Sequence, residues 1–234
     1  NGERVFCKGG NWVPADSLMA RVSPQRYDDL VRLASEANFN MLRIWGGGIY
    51  ESEAFFDACD RYGILVWQDF IFACGYYPDD DPAFMERVGR EAELVVSRLR
   101  NHPSLALWSG NNENEAIHRG FIEPGSDKPF YGRKIYHELL PRVCASMDRA
   151  RPYWPSSPYG GTDPGSEMLG DRHSWHVSLS GEGDKRVQYK AHSEDMAKFV
   201  SEYGFLAPPR RESLARFLPE DEMHPGSESW TFHE

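Results

Sequence analysis

A chain of 234 residues that is 40% hydrophobic and 26% charged is neither a disordered polymer nor a peptide too small for a core. Its formal charge of −10 repels nucleic acid phosphates and anionic membrane surfaces, so neither is an expected partner. Apolar stretches such as Gly63 to Trp67 and Leu105 to Trp108 fall far short of the roughly 20 residues a membrane span needs, and Cys7, Cys59, Cys74 and Cys144 form no CxxC pair, which argues for reduced, buried thiols.

In chain order, Val5 to Lys8 reads as a first strand, followed by a helix capped by Ser23 and Pro24 with Leu30, Leu33, Ala34 and Ala37 on one face. Met41 to Trp45 is a second strand. Ser52 opens a helix carrying Phe55, Phe56 and Cys59 that ends at Gly63, and Ile64 to Phe70 is a third strand. The acidic run Asp79, Asp80 and Asp81 lacks the pattern of a calcium loop and directly precedes Pro82, so it reads as a cap. Behind it, Val88, Ala92, Val95, Val96 and Leu99 form the buried stripe of a long helix that His102-Pro103 closes.

Leu105 to Ser109 is a fourth strand, and helical period returns over Tyr131 to Arg149 with an interruption at Pro141. Strands follow at Tyr153 to Ser156, His173 to Val177, Phe199 to Tyr203 and Ser229 to His233, with helices at Ser193 to Lys198 and Arg211 to Phe217. The segments Gly120 to Pro129 and Ser156 to Gly170, dense in Gly, Pro, Ser and Asp, read as strand-end loops. Eight short strands alternating with helices match the roughly 250 residues of a (β/α)8 TIM barrel better than an open doubly wound sheet. Residues 1–234 are thus expected to be one α/β barrel domain, truncated at or just after the eighth strand and cut from a larger protein, since the first residue is Asn1 and no helix follows Ser229 to His233.

In such a barrel, polar residues at the C-terminal ends of strands point into the active-site mouth. Strand four passes from Leu105–Trp108 to Ser109, Gly110, Asn111, Asn112 and Glu113, and strand seven from Phe199 and Val200 to Ser201 and Glu202. Two carboxylates at one mouth can break an acetal, one donating a proton and the other attacking, which makes Glu113 and Glu202 the candidate pair. Arg43, an always-charged donor fork near the end of strand two, can fix a carboxylate and is expected to contact Glu202. Trp45 at the same strand end offers a flat apolar face to sugar C–H groups, and Gly46, Gly47 and Gly48 after it permit a tight turn.

The segments KGGNWVPADS, RIWGGGIYE, GILVWQDFIFACGYYP, RNHPSLALWSGNNENE, RPYWPSSP and FVSEYGF, in this order, resemble glycoside hydrolase family 2, and its β-mannosidases in particular. The resemblance implies that Glu113 is the acid/base, Glu202 the nucleophile and Asn112 the residue that binds the sugar 2-hydroxyl. It implies retention through a covalent glycosyl-enzyme on Glu202, with no cofactor and no metal. His173 and Trp175 resemble the family's His-x-Trp block and would contact substrate, although Ser174 and the stretch after it depart from the more aromatic mannosidase pattern. The expected substrates are terminal β-D-mannosides and manno-oligosaccharides. Galactosidase, glucuronidase or endo-mannosidase specificity and a non-catalytic carbohydrate-binding fragment remain alternatives. Family members also carry β-domains before and after the barrel, expected here in the parent chain.

Overall fold

The computed structural model describes residues 2–119, 129–179, 183–205 and 207–233. Five parallel strands, β1 (Gly9–Trp12), β2 (Met41–Ile44), β3 (Leu65–Asp69), β4 (Leu105–Ser109) and β5 (Tyr153–Trp154), form one sheet in sequential order. β6 (Arg172–Ser174) and β7 (Val200–Tyr203) form a second parallel sheet, and the Asn11 side chain of β1 donates to the Ser201 carbonyl of β7 at 3.1 Å. Sequential parallel strands need a crossover between each pair, here supplied by α1 (Pro24–Glu36), α2 (Glu53–Tyr62), α3 (Pro82–Leu99), α4 (Asn114–His118) and α5 (Leu140–Met147).

The helix ends follow local chemistry. Ser23 accepts from the Arg26 amide at 3.2 Å, and Asp81 accepts from the Ala83 and Phe84 amides at 2.8 and 3.3 Å, satisfying donors that a first turn leaves open. α2 buries Phe55, Phe56 and Cys59, and α3 buries Val96 and Leu99, in one core with Trp108 of β4. Pro141 lies in the first turn of α5, which continues from a wider turn at Ile135–Leu139.

Several expectations are corrected. The first strand is Gly9–Trp12, because the ladder to Met41–Ile44 selects it; Val5 and Phe6 are 56% and 82% exposed. Glycine is required in that strand, since a Cβ on Gly9 would lie 1.7 Å from the Met41 carbonyl oxygen. On α1 the buried residues are Tyr27 and Val31, with Ala34 of the expected face packed against the same core, whereas Leu33 is 51% exposed. No helix forms at Ser193–Lys198 beyond the 3-10 segment Tyr189–Glu194, and α6 (Arg211–Leu214) is shorter than expected. Ser229–His233 is not an eighth strand: it lies in α7 (Glu228–Phe232), where Ser227 caps the Trp230 amide at 3.2 Å and overrides the strand preference of Trp, Thr and Phe. All four cysteines are free; Cys59 and Cys144 are buried as expected, whereas Cys7 is half-buried and Cys74 exposed. The loop expected at Gly120 to Pro129 lies, apart from Pro129, outside the described residues.

Two compact units are distinguished, Asn1–Ser174 with Ser193–Tyr203, and Trp175–His192 with Gly204–Glu234. Every strand belongs to the first, and α6 and α7 to the second. In the first unit a cavity of about 790 Å³ lies between β1 and β7; Asn11, Arg43, Trp67 and Ser201 line it, whereas Glu113 and Glu202 do not. No helix among the described residues is long and apolar enough to cross a membrane.

Candidate active site

Strand pairing aligns the site. Arg43 is the register partner of Asn11 on β1 and of Trp67 on β3, and His173 on β6 that of Glu202 on β7, so each set shares one face of its sheet. Asp69, two residues beyond Trp67, shares the face of Trp67 by the two-residue period of a strand. Glu113 stands just past β4 with φ 64° and ψ −2°, a left-handed conformation uncommon for a residue with a Cβ. Its amide donates to the Ser157 carbonyl at 2.7 Å, and the Asn111 side chain accepts from the Asn114 amide at 3.0 Å, which ties this turn down on both sides.

Arg43 is the hub. Its Nη1 donates to Glu202 Oε1 at 2.6 Å and Asn11 Oδ1 at 3.0 Å, and its Nη2 to Asp69 Oδ2 at 2.7 Å and Asn112 Oδ1 at 2.8 Å. The guanidinium carbon lies 5.6 Å from the centre of the Trp67 ring. Burial alone would lower the Arg43 pKa, but the charges of Asp69 and Glu202 outweigh it and raise it, so the fork remains a cation. Burial pushes the Asp69 carboxyl up, opposed by Arg43, the Trp67 indole N–H at 2.8 Å and the Gly46 amide at 3.0 Å.

The two candidate carboxylates meet at His173. Its Nδ1 lies 2.8 Å from Glu113 Oε1 and 3.4 Å from Glu202 Oε2, and one oxygen of each carboxylate and a ring nitrogen fall within 4.8 Å of one another. Burial pushes the Glu113 carboxyl up, but its bonds to His173 and Cys74 and the Arg43 charge outweigh that and hold it below the ordinary glutamate value. Cys74 Sγ is 3.5 Å from Glu113 Oε2 and accepts from Asn112 Nδ2 at 3.5 Å; burial and the Glu113 charge push its thiol up to about 11. The same three side chains could ligate a cation geometrically, but Glu202 is already paired with a fixed positive charge, so the donor set is that of a carboxylate pair served by protein groups.

The structure therefore gathers Arg43, Asn112, Glu113, His173 and Glu202. Trp45 is half-buried just past β2, its indole lying over Gly47, where a Cβ would come within 2.1 Å of the ring. Trp175 belongs to the second unit, where a Cβ on Gly204 would lie 3.4 Å from its ring. Asp16, readable as a sugar ligand or a loop cap, accepts from the Leu18 amide at 2.8 Å. Sequence reasoning missed Asn11, Asp69, Cys74, Ser157, Asp171 and Ser201. Asp69 had a usable signal, as the polar end of a strand written LVWQD. Ser157 and Asp171 sit in or beside a loop and had none.

Parallel strands that bring two carboxylates together at their C-terminal ends define a glycosidase-type TIM barrel. A family described as "Glycosyl hydrolases family 2, TIM barrel domain" matches residues 28–155, and the chain belongs to that family. It is 40% identical, over its whole length, to beta-mannosidase B of Thermothelomyces thermophilus, and 38% identical to beta-mannosidase B of Emericella nidulans, covering 28% of each. The crystal structure of beta-D-mannosidase from Dictyoglomus thermophilum is 48% identical and superposes with a TM-score of 0.90 over 98% of this chain and 28% of that one. Beta-glucuronidase 3 of Bacteroides uniformis, 22% identical with a TM-score of 0.53 over 65% of this chain and 18% of its own, shares the fold alone. The chain thus spans about 28% of the length of these β-mannosidases.

Proposed function

We propose that the whole protein is a retaining exo-β-mannosidase, with Glu202 the nucleophile and Glu113 the acid/base. The observation that carries this reading is the approach of the two carboxylates to within 4.8 Å around His173. Retaining glycosidases hold their carboxyl groups about 5 to 5.5 Å apart, whereas inverting ones need roughly 6.5 to 9.5 Å to admit a water. Arg43 pins one oxygen of Glu202, which orients the carboxylate for attack on the anomeric carbon. Asn112, whose carbonyl oxygen accepts from Arg43 and whose amide donates one hydrogen to Cys74, has its second amide hydrogen for the sugar 2-hydroxyl, a contact that strengthens as positive charge develops on the ring. Trp45, just past β2, would face the glycone. The mannoside preference follows the names of the relatives at 38 to 48% identity.

A 2-deoxy-2-fluoro-mannosyl inhibitor is expected to label Glu202, with the α- or β-anomer of the first product read by NMR. Labelling of another residue, or release of the inverted sugar, would refute the mechanism. A nitrophenyl glycoside screen in which another glycone is turned over faster would refute the sugar assignment. Glu202→Ala should abolish hydrolysis of all glycosides, and Glu113→Ala should harm poor leaving groups far more than activated ones.

A further inference from the structure

His173 is buried on β6 between groups that each restrict where its protons lie. On the Nε2 side, the Ser157 hydroxyl stands 3.0 Å away. That hydroxyl has a single hydrogen, and Asp171 Oδ2, 2.7 Å from it, is the stronger acceptor, so Ser157 donates to the carboxylate and turns a lone pair to the ring. Ser201 also donates to Asp171 Oδ2, at 2.5 Å, which fixes that carboxylate as the acceptor of both hydroxyls. Nε2 therefore carries a hydrogen.

On the opposite side, Nδ1 faces Glu113 Oε1 at 2.8 Å and Glu202 Oε2 at 3.4 Å. With Nε2 protonated, neutral imidazole presents a bare lone pair at Nδ1, and two carboxylates present only lone pairs. Three acceptors cannot converge at these distances without a proton among them. Arg43 balances Glu202 and Asp69, but it makes no contact with Nδ1. Further charged or titratable groups nearby are Cys74, beyond Glu113, and Arg172, the preceding residue on β6, which is paired with Asp195.

We propose that Glu113 and His173 hold one proton in common and that His173 is the positioning residue that stores the proton Glu113 delivers. This rests on the assignment of Glu113 as acid/base and gives His173 a part other than sugar binding. In the first step Glu202 bonds to the anomeric carbon while the glycosidic C–O bond breaks, leaving its electron pair on the aglycone oxygen, which takes the shared proton from Glu113. In the second, water oxygen bonds to the anomeric carbon, the ester C–O electrons return to Glu202, and the water's proton goes back to the Glu113–His173 pair. Loss of His173 therefore changes how Glu113 holds the proton it delivers, and the alkaline limb of the pH–rate profile reads that change.

The test uses the whole protein and whichever nitrophenyl glycone the wild type turns over fastest, so a wrong sugar sinks the functional assignment and leaves this one standing. His173→Asn is expected to shift the alkaline limb of kcat/KM by about one unit or more, and to slow phenyl glycosides at least about tenfold more than dinitrophenyl glycosides, which need no proton. An unmoved limb, or equal loss on both substrate classes, would overturn the proposal. A neutron structure of the wild type needs neither a variant nor turnover. It should show a hydrogen on Nε2 directed at Ser157 and another on the line between Nδ1 and Glu113 Oε1; a bare Nε2 would end the proposal whatever the kinetics.

Discussion

Replacing Arg43 by Met would leave two carboxylates facing an apolar side chain, Asp69 with its side chain fully buried and Glu202 only 10% exposed. Breaking a buried ion pair by removing one partner costs about 3 to 5 kcal/mol, mostly because the remaining charge is stranded. For a domain of this size each kcal/mol lowers the melting temperature by about 2 to 4 °C, so the barrel transition should fall by about 6 to 20 °C. The loss should depend on pH in a definite direction. Burial already raises the folded-state pKa of Asp69, and loss of the guanidinium raises it further. Stability is then retained at low pH, where this carboxyl is protonated, and lost as pH rises through the raised value. Asp69→Asn in the same background removes one stranded charge and should recover part of the loss. Scanning calorimetry of the whole protein between pH 5 and pH 8 reads this. A drop below about 3 °C, or a variant that loses more stability at pH 5 than at pH 8, would refute the reasoning.

The remaining predictions concern other parts of the first unit. Gly47→Ala places a methyl group 2.1 Å from the Trp45 ring and must displace the indole, so KM for the best glycoside should rise at least about tenfold, with altered tryptophan fluorescence; an unchanged KM would remove Trp45 from the proposed site. His102 lies between α3 and β4, with Nδ1 2.7 Å from Asp60 and Nε2 3.1 Å from Glu53. Burial lowers its pKa, but the bonds to these two carboxylates outweigh that and raise it. Its contribution to stability is therefore complete below its unfolded value of about 6.5 and is lost as pH rises through the higher folded value. His102→Gln should flatten the decline in melting temperature across neutral and mildly alkaline pH, and a variant that keeps the wild-type slope would contradict this.

What the sequence determined by itself was mostly local. Ser23, Asp81 and Gly63 announced helix ends because capping depends on a few adjacent backbone groups, and the core-to-polar switch after Trp108 and Val200 marked Glu113 and Glu202 because strand direction aims such ends at one mouth. Pairing partners decided the rest. Val5 and Phe6 have better strand residues than Gly9 and Gly10, yet the ladder to β2 passes over the glycines, where the backbones approach too closely for a side chain. The aromatic run at Trp230 became helical because a serine cap acts on a terminal segment that no described strand pairs with. Above all, the position of His173 between two carboxylates 60 residues before it and 29 after it arises from strands brought together in space, since proton sharing depends on ångström separations that no spacing along a chain encodes.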